Sequence, residues 1–210
     1  HIAQTNMPLV YVNAVGGQDE LVFDGGSFAL NSKGEVAMTM PQFESALGFV
    51  KVNSAGELEA GSITLTQSVE AQAYQALVLG VRDYVNKNRF PGVIIGLSGG
   101  VDSALVLAIA VDALGADKVR AVMMPSRYTA DISWIDAREM AQNLGVQYDE
   151  IPISAPVDAL ESSLAEQFKD LPVDATEENI QARVRGTLLM ALSNKTGRLV
   201  LTRSEEHTSE

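Results

Sequence analysis

The sequence contains no cysteine, which excludes disulfides, thiol nucleophiles and cysteine-based zinc sites within these 210 residues. Histidine is nearly as scarce: the two present are His1 and His207, at opposite ends. With no interior imidazole to act as general base, Ser-His-Asp and Cys-His catalysis is excluded as well. Positive charge is short, with 15 Lys and Arg against 27 Asp and Glu and a net charge of −12. Such a chain lacks the basic face that a general nucleic-acid binder needs, while one local cationic pocket for a small anion stays compatible with it. Long apolar runs are also missing. The longest, Ala104 to Val111, is far too short to span a bilayer, and the start has neither the basic segment nor the apolar stretch of a signal peptide. The expectation is a cytoplasmic protein with no membrane and no nucleic-acid partner. A first residue that is His rather than Met reads as a fragment or a processed product.

Apolar residues make up 46% of the chain and charged residues 20%, enough to build a core and too apolar for a disordered chain. Residues 1–50 read as short strands: Pro8–Val12, Glu20–Phe23 closed by Asp24-Gly25-Gly26, and a hairpin of Ser27–Leu30 with Glu35–Met38, with Gly16-Gly17 as punctuation. Fifty residues of short strands make a poor independent core, so the segment reads as the end of a larger domain. Residues 51–67 have no period and read as a linker. From Ser68 the texture becomes α/β. Ala73, Leu77, Val81 and Val85 mark an amphipathic helix over 71–86. Strands at 93–97, 119–124, 146–153 and 199–201 alternate with helices at 102–114, 131–144, 156–168 and 176–193, the last with Thr176 as N-cap. Trp134 falls on an inward stripe and reads as core. The alternation predicts a parallel sheet with helices on both faces over 68–202. The polar end 203–210 breaks the pattern, resembles translated sequencing-adapter DNA and reads as non-biological, with a natural polar tail as the plainer alternative.

The sharpest local feature is Gly96-Leu97-Ser98-Gly99-Gly100-Val101-Asp102-Ser103, which follows a buried-type strand and opens a helix. Two glycines let backbone N–H groups converge on an anion, the helix adds its positive end, and two serines add hydroxyls. The loop lacks the Gly-Lys-Ser/Thr of a Walker A sequence and is not Gly-x-Gly-x-x-Gly. Asp102 is telling, because a carboxylate in a phosphate cradle repels its ligand unless Mg²⁺ bridges them. The residues therefore point to a Mg²⁺–nucleotide site with pyrophosphate in the loop and Asp102 as metal ligand. The plain alternative is an ordinary glycine-rich turn capped by Asp102 and Ser103.

Ser-Gly-Gly-Val-Asp-Ser resembles the signature loop of the ATP-pyrophosphatase (PP-loop) superfamily, an adenine-nucleotide alpha-hydrolase-like fold. Its members transfer AMP from ATP to a carboxyl or carbonyl oxygen and release pyrophosphate. Three flanking stretches narrow the resemblance: Ala76–Tyr84, Val122–Thr129 and Glu178–Gly186. Together they are similar to bacterial glutamine-dependent NAD synthetases over nearly all of 1–202. Asn13 to Gly25 looks like the end of that family's nitrilase-like glutaminase domain.

The resemblance implies ATP-dependent amidation of deamido-NAD⁺ through an adenylated intermediate, fed by ammonia from glutamine. It implies ATP binding at Gly96, Leu97, Ser98, Gly99, Gly100, Val101, Asp102 and Ser103. Mg²⁺ and a catalytic role fall to Asp102, and deamido-NAD⁺ to Asn179 and Arg183. It further implies a homo-oligomer at full length. By spacing alone, Asn179 with Arg183 and Gln181 with Arg185 form two pairs on the helix, either for an anionic dinucleotide or for surface carboxylates such as Glu177 and Glu178. Met123-Met124-Pro125 reads as an adenine wall or as core. The family's glutaminase cysteine has no counterpart here, and its Thr-Gly-Asn-Lys-Ser-Glu run is replaced after Thr202 by Arg203-Ser204-Glu205. The 210-residue chain alone is therefore expected to be inactive. The alternatives are another glutamine-fed PP-loop ligase, such as a GMP synthetase, and a nonenzymatic ATP- or AMP-binding module.

Overall fold

The computed structural model describes residues 2–202. His1, His207 and the 203–210 tail, with its reading as non-biological, lie outside the described residues. The chain divides into two compact units, 1–84 and 85–210.

In the first unit a short helix, α1 (Ile2–Thr5), precedes β1 (Leu9–Tyr11), β2 (Val15–Gln18), β3 (Leu21–Asp24), β4 (Phe28–Leu30) and β5 (Val36–Thr39). β1, β4 and β5 form an antiparallel sheet in that order, and β2 and β3 a separate hairpin. A small core of Ala29, Ala37 and Met38 is flanked by Met40, Val50 and Leu58. Gly16 and Gly17, expected as punctuation, lie inside β2. Gly17 is buried, its N–H donates to the Asp83 carboxylate at 2.8 Å, and a Cβ there would meet the Gly80 Cα at 3.2 Å. Glycine here serves a close backbone approach inside a strand rather than a break. Residues 51–67 carry no strand, yet they run along β5: Gly61 N–H donates to the Ala37 carbonyl at 2.8 Å and Thr64 N–H to Thr39 Oγ1 at 2.7 Å.

The unit boundary falls within helix α2 (Val69–Lys87). Its expected inward stripe is corrected in part. Ala73 and Leu77 are exposed, whereas Leu79 and Val85 are buried. Apolar residues stand all round this helix, so four-residue spacing did not single out the buried face.

The second unit contains β6 (Val93–Leu97), α3 (Val101–Leu114), β7 (Val119–Met123), α4 (Asp131–Leu144), β8 (Gln147–Glu150), α5 (Ser154–Leu164), α6 (Ala175–Thr196) and β9 (Leu199–Val200). The strands form a parallel sheet in the order β8-β7-β6-β9, with Val93 opposite Val119 on one side and Leu199 on the other. The chain steps from β6 through α3 to β7 and through α4 to β8, then returns through α5 and α6 to β9. Right-handed crossovers therefore put α3 and α4 on one face and α5 and α6 on the other. Ile94, Val122 and Met124 pack with Ile153, Val157 and Val184 on the α5–α6 side, joined by Ile180, Leu188 and Leu189. α3 contributes the buried Leu107, Ile109, Ala110 and Ala113. Strand order reverses beside β6, so the crevice outside the carboxyl ends of β6 and β9 is the topological switch point, where such sheets hold ligands.

α6 is capped by Asp174, not Thr176. The Thr176 N–H donates to the Asp174 carboxylate at 2.8 Å, and Glu177 reaches back to the Asp174 N–H at 3.0 Å, closing a capping box. Among the described residues no helix is long and apolar enough to cross a membrane.

Candidate functional site

Between the end of β6 at Leu97 and the start of α3 at Val101 the chain turns through Ser98, Gly99 and Gly100. Gly99 holds φ at +80°, and a Cβ there would lie 2.3 Å from the Ser133 carbonyl oxygen and 2.7 Å from its Cα. Neither the dihedral nor the space admits a side chain. The two serines tie the turn to itself. Ser103 Oγ accepts the Ser98 N–H at 3.2 Å and donates to the Gly100 carbonyl at 3.0 Å. Ser98 Oγ accepts the Gly100 N–H at 3.3 Å and lies 2.9 Å from Ser103 Oγ, to which it is left to donate. Both hydroxyls therefore have partners inside the loop. No side chain caps α3, whose N-cap is Gly100. Its first-turn amides and positive helix end are the groups here whose polarity favours an anion.

Two clefts flank the loop. One, of about 500 Å³, is walled by Gly96, Leu97 and Ser98, by Met123 and Met124, by Thr129, by Ala182, Arg185, Gly186 and Leu189 of α6, and by Leu201 and Thr202. The other, of about 340 Å³, adds Gly100, Asp102, Ser103 and Val106 and shares Gly96, Ser98, Leu201 and Thr202 with the first. The first lies within the usual range for small-molecule sites, and the second near its lower end. Asp102 is exposed in the first turn of α3. Val101 is 81% exposed and lines neither cleft, and Gly99 serves by packing against Ser133. Met123 and Met124 are buried, as core residues are, and also line the larger cleft. Trp134 is partly buried, its indole N–H without a hydrogen-bond partner.

Asn179 and Arg183 are exposed on α6 and line neither cleft. The residues that do, Ala182, Arg185, Gly186 and Leu189, share one face at three- and four-residue steps. Arg185 is half-buried, its Nε donates to the Met124 carbonyl at 3.1 Å, and burial pulls its guanidinium below the usual arginine range. The other shifted side chains lie outside both clefts. On β8, burial first and Glu150 second push Tyr148 up to about 12, while a hydrogen bond from Arg138 lowers Glu150.

Among the described residues no three acidic or imidazole groups cluster to hold a metal. The exposed Asp102 carboxylate beside the β6–α3 loop nevertheless suits Mg²⁺, which commonly takes one or two carboxylates and completes its shell with substrate phosphates and water.

Fold and loop together define a doubly wound α/β domain with a glycine-built β6–α3 turn at the switch point. The chain belongs to the NAD synthase family, whose model matches residues 73–210. It is 51% identical over 200 residues to the glutamine-dependent NAD(+) synthetase of Acinetobacter baylyi, covering 94% of this chain and 37% of that protein. To that of Rhodobacter capsulatus it is 47% identical over 205 residues, covering 96% and 37%. The glutamine-dependent NAD⁺ synthetase of Acinetobacter baumannii, solved in complex with adenosine diphosphate, superposes with a TM-score of 0.94 at 48% identity, covering 97% of this chain and 39% of that one. The chain thus spans well under half the length of the relatives it matches.

Proposed function

We propose that this chain is part of a glutamine-dependent NAD⁺ synthetase, a carbon–nitrogen ligase that amidates deamido-NAD⁺ at the expense of ATP in the final step of NAD biosynthesis. One observation carries the reading: an Asp-bearing, glycine-built loop at the switch point of a chain 51% identical to such an enzyme over 94% of its length. Residues 1–50 are assigned to the end of a nitrilase-like glutaminase domain, 51–67 to a linker and 68–202 to the synthetase domain. A cytoplasmic, homo-oligomeric enzyme belongs to the same proposal.

The nicotinate carboxylate is already an anion, so its attack on the α-phosphate of ATP needs no base. A new carboxylate oxygen–phosphorus bond forms, the bond to the β-phosphate breaks, and pyrophosphate departs. Ammonia then displaces AMP from the acyl carbon to leave the amide. The α3 amides and the loop backbone hold the pyrophosphate, and Ser98 and Ser103 hold the loop in shape for it. Asp102 would hold Mg²⁺, which when bound neutralises charge on the leaving group. Met123 and Met124 form an apolar wall for adenine, and Asn179 and Arg183 are assigned to deamido-NAD⁺ beyond the cleft's edge.

In the full-length enzyme supplied with ATP, deamido-NAD⁺ and ammonium, Asp102→Ala should abolish Mg²⁺-dependent pyrophosphate release while the melting temperature stays within a few degrees. Near-normal release by this variant would remove Asp102 from the mechanism. Turnover with XMP in place of deamido-NAD⁺ would move the protein to another ligase class.

A further inference from the structure

The two clefts carry opposite charge. Among the described residues Asp102 is the only acidic side chain lining the smaller one, and Arg185 the only cation lining the larger. Among the described residues Arg185 has no carboxylate partner; its one hydrogen bond goes from Nε to the Met124 carbonyl, which fixes the guanidinium plane and leaves both terminal nitrogens for a ligand. A half-buried guanidinium without a carboxylate partner is well matched by a bound anion. Its neighbour supplies a second, independent observation. Gly186 sits in the middle of the 22-residue α6, where glycine is the poorest helix former after proline. A Cβ there would meet nothing within 4 Å. Among the described residues nothing packs where a Gly186 side chain would stand, yet Gly186 lines the larger cleft.

We propose that Arg185 binds the α-phosphate of the nucleotide, and that Gly186 is kept bare so that the nucleotide can lie against α6. The inference rests on the nucleotide-site reading above. The smaller cleft, with Asp102 and the α3 amides, takes the two terminal phosphates. The Met123–Met124 wall of the larger cleft takes the base. The α-phosphate then stands at the wall shared by both, formed by Gly96, Ser98, Leu201 and Thr202, and Arg185 meets the charge that passes through it during AMP transfer.

The test titrates the full-length enzyme calorimetrically with AMP and with adenosine, which differ only in that phosphate. Wild type should hold AMP at least about tenfold more tightly, as expected for a charge-assisted contact. Arg185→Met should erase the preference and leave adenosine affinity unchanged, with Arg185→Lys restoring part of it. In turnover, Arg185→Met should raise KM for ATP and lower kcat. Gly186→Ala should melt at the same or higher temperature and weaken both ligands. An AMP preference that survives Arg185→Met overturns the proposal, as does its absence in wild type or a change confined to KM for the carboxylate substrate. If Arg185→Met does not fold, wild-type affinities in Gly186→Ala overturn it. A wild-type enzyme that binds neither ligand and releases no pyrophosphate overturns the nucleotide-site reading itself.

Discussion

At Gly99 the backbone stands at φ +80° with the Ser133 backbone where a side chain would begin. Gly99→Ala must shift either the loop or the start of α4, and should cost about 1–3 kcal/mol of stability in a urea melt together with most of the ATP affinity. Wild-type binding by this variant would mean that the loop tolerates a side chain there. The need for glycine was legible in the sequence, because a strand-to-helix turn around an anion requires it. The serine hydroxyls were not. Their partners are the loop's own amide and carbonyl groups, which spacing does not distinguish from a ligand's oxygens. The same holds for the two arginines of α6. Asn179 and Arg183 satisfy helical spacing as well as Arg185 does, and only the register of α6 against Gly96 and Met124 decides that Arg185 faces the cleft.

At the scale of elements, α6 shows how a helix terminus sets its own pH response. The Thr176 hydroxyl and N–H hold the Asp174 carboxyl below the ordinary aspartate range. A carboxylate depressed in the folded state contributes stability above its unfolded value, about 3.9, and loses that contribution as pH falls through the folded value. Asp174→Ala should therefore melt below wild type by a constant margin near neutrality, and the two melting curves should converge on acidification below about pH 4. A margin that persists there would mean that the cap does not act through the charged carboxylate. The element itself was legible. Its cap was displaced by two residues, because Asp174 and Thr176 are both good N-caps and Glu177, three residues after Asp174, completes the box for Asp174 alone. β2 was missed for a related reason: Gly16-Gly17 signals a turn unless a second backbone, here at Gly80, comes close enough to require it.

For the whole molecule, the alternation of buried strands and helices was enough to anticipate the parallel sheet. Strand order came from the structure, since it is set by which strand β9 returns beside. That return creates the switch point, and with it the cleft between the β6 loop and α6. No polar or charged side chain is fully buried among the described residues, so the charged groups that serve the chemistry are found in the clefts and on the surface. The first unit was legible as a hairpin-rich segment, but the contacts of 51–67 along β5 were not, since a stretch without periodicity says nothing about what it lies against.

The proposed function requires that this loop drive adenylyl transfer to a carboxylate. The direct measurement supplies the full-length enzyme with deamido-NAD⁺ carrying ¹⁸O in its nicotinate carboxylate, together with ATP and ammonium, and reads the AMP by mass spectrometry. An acyl-adenylate predicts one ¹⁸O in each AMP formed, because the attacking oxygen leaves on phosphorus. AMP free of ¹⁸O alongside NAD⁺ formation would contradict it.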